Sequence, residues 1–219
     1  IKWVVDYVET EGDLVKENSR ASYENSSLAD DKEAQSIYNL YRKSIDETAA
    51  VFDKIRAKEK PESGEIDQIV EDLFNSIKEN YEFLTSFILN EKQLDNPLAQ
   101  SCVNCMIMSV VIGMHMKFPS HKLLNLGLAA LLHDVGMLRV PKEILEKKNL
   151  AQPEVKQVMT HTIHSYKIIL KELGYPEDVA LAAMHHHERW DGKGYPRQLK
   201  NQQIPTEARI ISVTDAFEA

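Results

Sequence analysis

The segment from Pro97 to Met116, PLAQSCVNCMIMSVVIGMHM, is apolar on nearly every face and contains no Asp, Glu, Lys or Arg. A helix with no polar side has to be covered from several directions. The rest of the chain offers helices to do so. Lys32 to Lys58 places Ile37, Leu40, Tyr41, Ile45, Val51, Phe52 and Ile55 at spacings of three and four, the stripe of an amphipathic helix. Pro61 and Gly64 break that pattern, Ser63 is positioned to cap a second helix, and a second stripe runs from Ile66 to about Leu89. Further helices are predicted from Lys122 to Leu132, in the stretch after Pro141, from Pro153 to Leu173 with Gly174 as its stop, from Pro176 to His187, and from Pro205 to Asp215. No convincing strand follows residue 10. The chain is therefore expected to be all-α.

Three stretches emerge. Residues 1–31 begin with a β-rich remnant, IKWVVDYVE, and continue as a polar linker. Residues 32–62 form a connecting helix, whose stripe could pack on its own domain or zip to a second copy as a homodimer. Residues 63–219 form the main helical domain, which is expected to stop short of its natural end. No uninterrupted apolar run of about 18 residues is present, and no secretory leader opens the sequence, so no membrane span and a cytoplasmic location are expected. A net charge of −8 argues against duplex nucleic acid as a partner, since no basic face is available to neutralise phosphates. A local pocket could still take a small anion if cations lined it. Cys102 and Cys105 form a lone CxxC inside the apolar helix and read as two small buried side chains rather than half of a zinc site.

Chemistry concentrates at helix ends. The run AALLHDVGMLRVP delivers His133 and Asp134 side by side before Gly136. A His–Asp pair can cap a helix C-terminus, or it can hold metal: an imidazole nitrogen fills one coordination position and a carboxylate can bridge two ions. Separate helical segments expose His161, His186 with His187, and Asp215. Mixed imidazole and carboxylate donors suit iron, manganese, zinc or nickel better than calcium or magnesium. Nothing pairs His115, His121, His164 or His185 with this pattern.

Two long motifs carry a resemblance. LLHDVGMLRVP is similar to the first signature of the HD-GYP subgroup of HD phosphohydrolases, and HHERWDGKGYPRQL followed by IPTEARIISVTDAFEA is similar to its second. The similarity runs from roughly Ile66 to Ala219. It implies an HD-type helical bundle around two divalent metal ions, iron or manganese, that hydrolyses the second messenger cyclic di-GMP or its linear dinucleotide through a metal-activated hydroxide. His133, Asp134, His161, His186, His187 and Asp215 fall on the metal-binding positions, with Asp134 as the catalytic bridge. Tyr195 and Arg197 fall where substrate is contacted, although Tyr195 could equally be a loop anchor. Glu188 and Asp191 are expected to hold histidines or the loop.

Two positions depart from the family pattern. Ser101 stands where a histidine begins the third helix, which removes one ligand and weakens the ion shared by His133, Asp134 and Asp215. Met137 stands where HDxGK supplies a lysine to the substrate phosphate, removing a cation. Two readings therefore stay open: a cyclic di-GMP phosphodiesterase, or a degenerate module that keeps metal and ligand but signals through a protein partner.

Overall fold

A computed structural model of the chain describes residues 32–90 and 94–218, and no strand occurs among them. The expected β-rich remnant and linker of residues 1–31 lie outside the described residues. The uncharged segment becomes α3 (Pro97–His115), which is packed by α1 (Lys32–Arg56), α2 (Glu65–Asn90), α4 (Ser120–Leu132) and α9 (Thr206–Glu218). Cys102, Val103, Cys105, Met106, Ile107 and Val110 are all fully buried on it. Each large aliphatic side chain buried this way stabilises the fold by about 1.5–3 kcal/mol. By length and composition Pro97–His115 would also pass for a membrane span, yet 61% of that window is buried inside the fold.

The stripe on α1 is consumed within the chain. Ile37, Tyr41, Ile45, Val51, Phe52 and Ile55 are buried in the same core as α2 and α3, so α1 packs on its own domain. At the start of α2 the expected Ser63 cap is not used. The Glu65 carboxylate instead accepts the Glu62 N–H at 3.0 Å and pairs with Lys54 at 2.8 Å, which ties α2 to the end of α1. The latter pairing keeps the Glu65 pKa below its usual value.

Two expected helices are shorter than their periodicity suggested. The Pro153–Leu173 stretch divides into α6 (Gln152–Met159), α7 (His161–Lys167) and a wider π-helical segment, Ile168–Leu173, ended by left-handed Gly174. The division has a local cause. The Thr160 hydroxyl donates to the Gln157 carbonyl at 2.6 Å, and the His161 ring bonds the Val158 carbonyl at 2.8 Å, so both acceptors are shared with side chains where the helix would continue. Similarly, α8 (Glu177–Met184) ends before the three histidines, which occupy the turn beyond it. The short α5 (Lys142–Leu145) and α6 pack around a small separate core of Val140, Ile144 and Val158.

Candidate metal centre

The end of α4, the start of α7, the turn after α8 and the last turn of α9 converge. His133 continues directly from α4, and Asp134 leads into a 3₁₀ turn, Val135–Arg139. This turn presses on α7. A Cβ on Gly136 would lie 2.0 Å from the His161 carbonyl oxygen and 2.5 Å from the Ser165 nitrogen, so only glycine fits. Ser165 fastens the contact by accepting the Gly136 N–H at 2.9 Å and donating to the His133 carbonyl at 2.6 Å.

Three buried histidines are oriented by one device. Nδ1 of His133, His161 and His186 lies 2.8, 2.8 and 2.6 Å from the carbonyls of Ala130, Val158 and Ala183, each three residues earlier. A carbonyl can only accept, so Nδ1 carries the proton and Nε2 turns a bare lone pair the other way. Those lone pairs face carboxylates. Asp134 Oδ1 is 3.2 Å from His161 Nε2 and 3.6 Å from His186 Nε2, while His133 Nε2 is 3.7 Å from Asp134 Oδ2 and 3.5 Å from Asp215 Oδ1. Nδ1 of His187 lies 4.0 Å from Asp215 Oδ2.

Six candidate ligands thus come together in two overlapping groups: Asp134, His161, His186 and His187; and His133, His186 and Asp215. The first brings together the four residues that the resemblance assigns to one ion. In the second, His186 joins His133 and Asp215, and Asp134 is not a member although its Oδ2 lies 3.7 Å from His133 Nε2.

The donor set fits a divalent cation. Nε2 of His133, His161 and His186 and Oδ1 of Asp134 are buried with no hydrogen-bond partner, an arrangement that costs free energy unless something positive sits among them. Once a bound cation has displaced their protons and left the imidazoles neutral, the two carboxylates supply negative charge to offset it. Burial opposes ionisation of Asp134, but the flanking His133 and His161 hold its carboxyl well below the usual range. Burial, reinforced by the neighbouring imidazoles, pushes His186 far down and His187 to about 3, which leaves both free to donate lone pairs at neutral pH. Burial also opposes a proton on His161, but Asp134 outweighs it and raises that imidazole.

The loop after the histidines is built on Glu188. Its buried carboxylate accepts the N–H groups of Arg197 at 2.6 Å and Leu199 at 2.9 Å, while the Tyr195 N–H reaches the His187 carbonyl at 3.1 Å. Gly194 lies so close to this turn that a Cβ would be 2.3 Å from the Arg189 nitrogen. The loop, which includes a cis Tyr195–Pro196 bond, stacks the Tyr195 ring on His187 with centroids 4.8 Å apart. Tyr195 therefore stands beside the cluster, where burial and the charges of Asp134 and Asp215 raise its pKa. Arg197 is exposed, with His185 and Tyr166 as charge neighbours, and is not drawn into the cluster. Asp191 is also exposed. It pairs with Arg189 and accepts the Lys193 N–H, and these contacts hold its carboxyl at about 2.

Ser101 is half-buried on α3, one residue before Cys102, whose thiol lies against His133. Both cysteines are free and buried, as expected. Met137 packs against the small core around Val140, Ile144 and Val158. None of His115, His121, His164 and His185 joins either ligand group. Sequence reasoning missed Ser165, although its place four residues after His161, on the same helix face, was a readable signal.

An all-helical domain with a buried histidine–aspartate cluster fed by four chain segments defines a narrow class. The family model described as HD domain matches residues 84–219, and the chain belongs to that family, in its HD-GYP branch. It is 41% identical over 98 residues to a cyclic di-GMP phosphodiesterase of Thermotoga maritima, covering 42% of this chain and 25% of that protein. Against a 3'3'-cGAMP-specific phosphodiesterase of Vibrio cholerae the identity is 40% over 92 residues, covering 42% and 20%. These matches span only a quarter or less of the relatives' own length. Among solved structures, the HDG"Y"P protein Bd1817 of Bdellovibrio bacteriovorus shares the fold, with a TM-score of 0.69 at 15% identity, covering 88% of this chain and 64% of that one.

Proposed function

We propose that the chain is the catalytic portion of a metal-dependent phosphodiesterase acting on cyclic di-GMP or its linear dinucleotide. The observation that carries this reading is the set of buried, partnerless Nε2 and Oδ1 atoms facing one another at the meeting point of four segments. Asp134, His161, His186 and His187 would hold one divalent ion, iron or manganese, and His133 and Asp215 a second, with Asp134 bridging. Bound ions would supply an attacking nucleophile at neutral pH and offset charge building on the phosphate. The Asp134 carboxylate would be shared between the ions, the three Nδ1–carbonyl bonds keep the rings aimed, and Tyr195 and Arg197 would meet the substrate from the loop. The names of the Thermotoga and Vibrio relatives support a cyclic dinucleotide as substrate.

Ser101 and Met137 support a second reading, in which the domain keeps a metal and a cyclic dinucleotide but signals through a protein partner. With serine in place of a ligand, stoichiometry is expected nearer one ion than two per chain. The test is metal analysis of protein prepared without chelator, followed by turnover of cyclic di-GMP with iron or manganese added anaerobically. Turnover that appears in wild type supports the enzyme. Metal without turnover, followed by activity in a Ser101→His, Met137→Lys double variant, favours the signalling module and locates the defect. Absence of bound metal sinks both.

A further inference from the structure

The connecting helix α1 carries none of the six candidate ligands, yet hydrogen bonds link it to two of the places that do, once through the turn after Asp134 and once through α3. The first bond is at its C-terminus. Arg139, the last residue of the 3₁₀ turn that follows Asp134, donates to the Ile55 carbonyl of α1 at 2.9 Å and pairs with Glu172 at 2.9 Å in the π-helical continuation of α7. One side chain thus ties α1 to the His133–Asp134 turn and to the helix that presents His161.

The second bond starts mid-helix. Tyr41 is fully buried, and its hydroxyl donates to Asn104 Oδ1 on α3 at 2.8 Å; Asn104 Nδ2 in turn donates to Glu218 on α9 at 2.7 Å. Glu218 lies three residues beyond Asp215, under one turn away. Just before Asp215, the Thr214 hydroxyl lies 2.9 Å from Ser109 Oγ and 3.0 Å from Cys105 Sγ on α3. Asp215 is therefore bracketed by polar contacts. Apolar surfaces tolerate sliding, whereas a buried hydroxyl and amide and a half-buried carboxylate are satisfied in one register only. Glu218 and Asp215 share the last turn of α9, so a shift of one carries the other with it.

We propose that Tyr41 and Arg139 are positioning residues of the centre, through which α1 sets where Asp215 and the His133–Asp134 turn stand. The inference rests on the cluster being a metal centre. It makes α1 part of the site's support, so that a displacement of this helix changes metal affinity.

The test uses cobalt(II), whose visible absorption reports ligand geometry, titrated into the full chain in competition with a chelator. Asp215→Asn sets the reference change in spectrum and affinity. Tyr41→Phe, which keeps the ring and removes one hydroxyl, is expected to shift both in the same direction, weakening cobalt by about tenfold, as loss of an outer supporting contact does. In the Asp215→Asn background it should add nothing. Thr48→Val is the control: it also deletes a buried hydroxyl of α1, but one that bonds only to the Ser44 carbonyl of its own helix, and it should leave the spectrum unchanged. Arg139→Met should weaken cobalt even when Asp215 is already replaced. If Asp215→Asn changes cobalt binding while Tyr41→Phe does not, or if Thr48→Val matches Tyr41→Phe, the inference fails alone. Wild-type protein that takes up no cobalt overturns the metal reading and this inference together.

Discussion

Two buried polar clusters meet on α9, and they are finished differently. Around Thr214 and Glu218 the hydrogen bonds close two sets, Tyr41 through Asn104 to Glu218, and Cys105 and Ser109 to Thr214. Around Asp215 the rings of His133, His161 and His186 are bonded on their outer nitrogens alone, and the inner nitrogens and Asp134 Oδ1 are left without partners. Burial is similar in the two places, so the contrast is not one of solvent access. The first cluster is complete as protein and serves to hold α9 in register. The second leaves donors that a cation could satisfy, which is why the functional reading rests there.

The largest test of this contrast is Asp134→Ala. It removes the carboxylate that the histidines face, and is expected to abolish stable metal binding and to lower any phosphodiesterase rate on the order of 10³-fold; metal analysis and turnover check it. Retained binding would mean that the partnerless atoms are not a ligand set. Next comes Gly136→Ala, which drives a methyl group into the His161 carbonyl. The expected loss is about 3 kcal/mol of stability together with separation of the Asp134 and His161 halves, read by denaturant unfolding with and without metal. Glu188→Gln leaves one of two loop N–H groups facing an amide that cannot accept, for about 2 kcal/mol, and should loosen Tyr195 without removing metal.

A change of pH separates the clusters more gently. Against the opposing effect of burial, Cys105 and Asp134 raise His133 and Asp134 raises His161, so a cation has to displace a proton from each below those raised values, and affinity should fall as pH falls, by about tenfold per unit for each proton displaced. His186 and His187 are held down by burial and add no such dependence in the neutral range. Chelator competition at several pH values measures the slope, and a flat profile would contradict the assignment of His161. The smallest effect is expected at the exposed Arg189–Asp191 pair, where Asp191→Asn should leave both melting temperature and metal affinity unmoved.

Five of the six candidate ligands were legible in the sequence because they sit in the long motifs, whereas His161 lies outside them and opens α7. Their support was not. Ser165 holds a backbone 29 residues away, Arg139 reaches α1 across 84 residues, and Glu218 bonds a residue 114 positions earlier. Periodicity reports that a face is covered but not by what, which is why the stripe on α1 left a domain contact and a self-association equally open. The break at Thr160 escaped for a related reason: threonine is an ordinary helix residue until its hydroxyl and the next side chain bond the carbonyls before them.

The bonds from Nδ1 to the carbonyl three residues back have a consequence for how such a centre can change. Each histidine is aimed by its own short piece of backbone, so its direction is settled within the segment that carries it. Tertiary structure then needs only to bring preset arms to one point. Replacing one of these histidines should therefore cost the cluster one donor and leave the others still aimed.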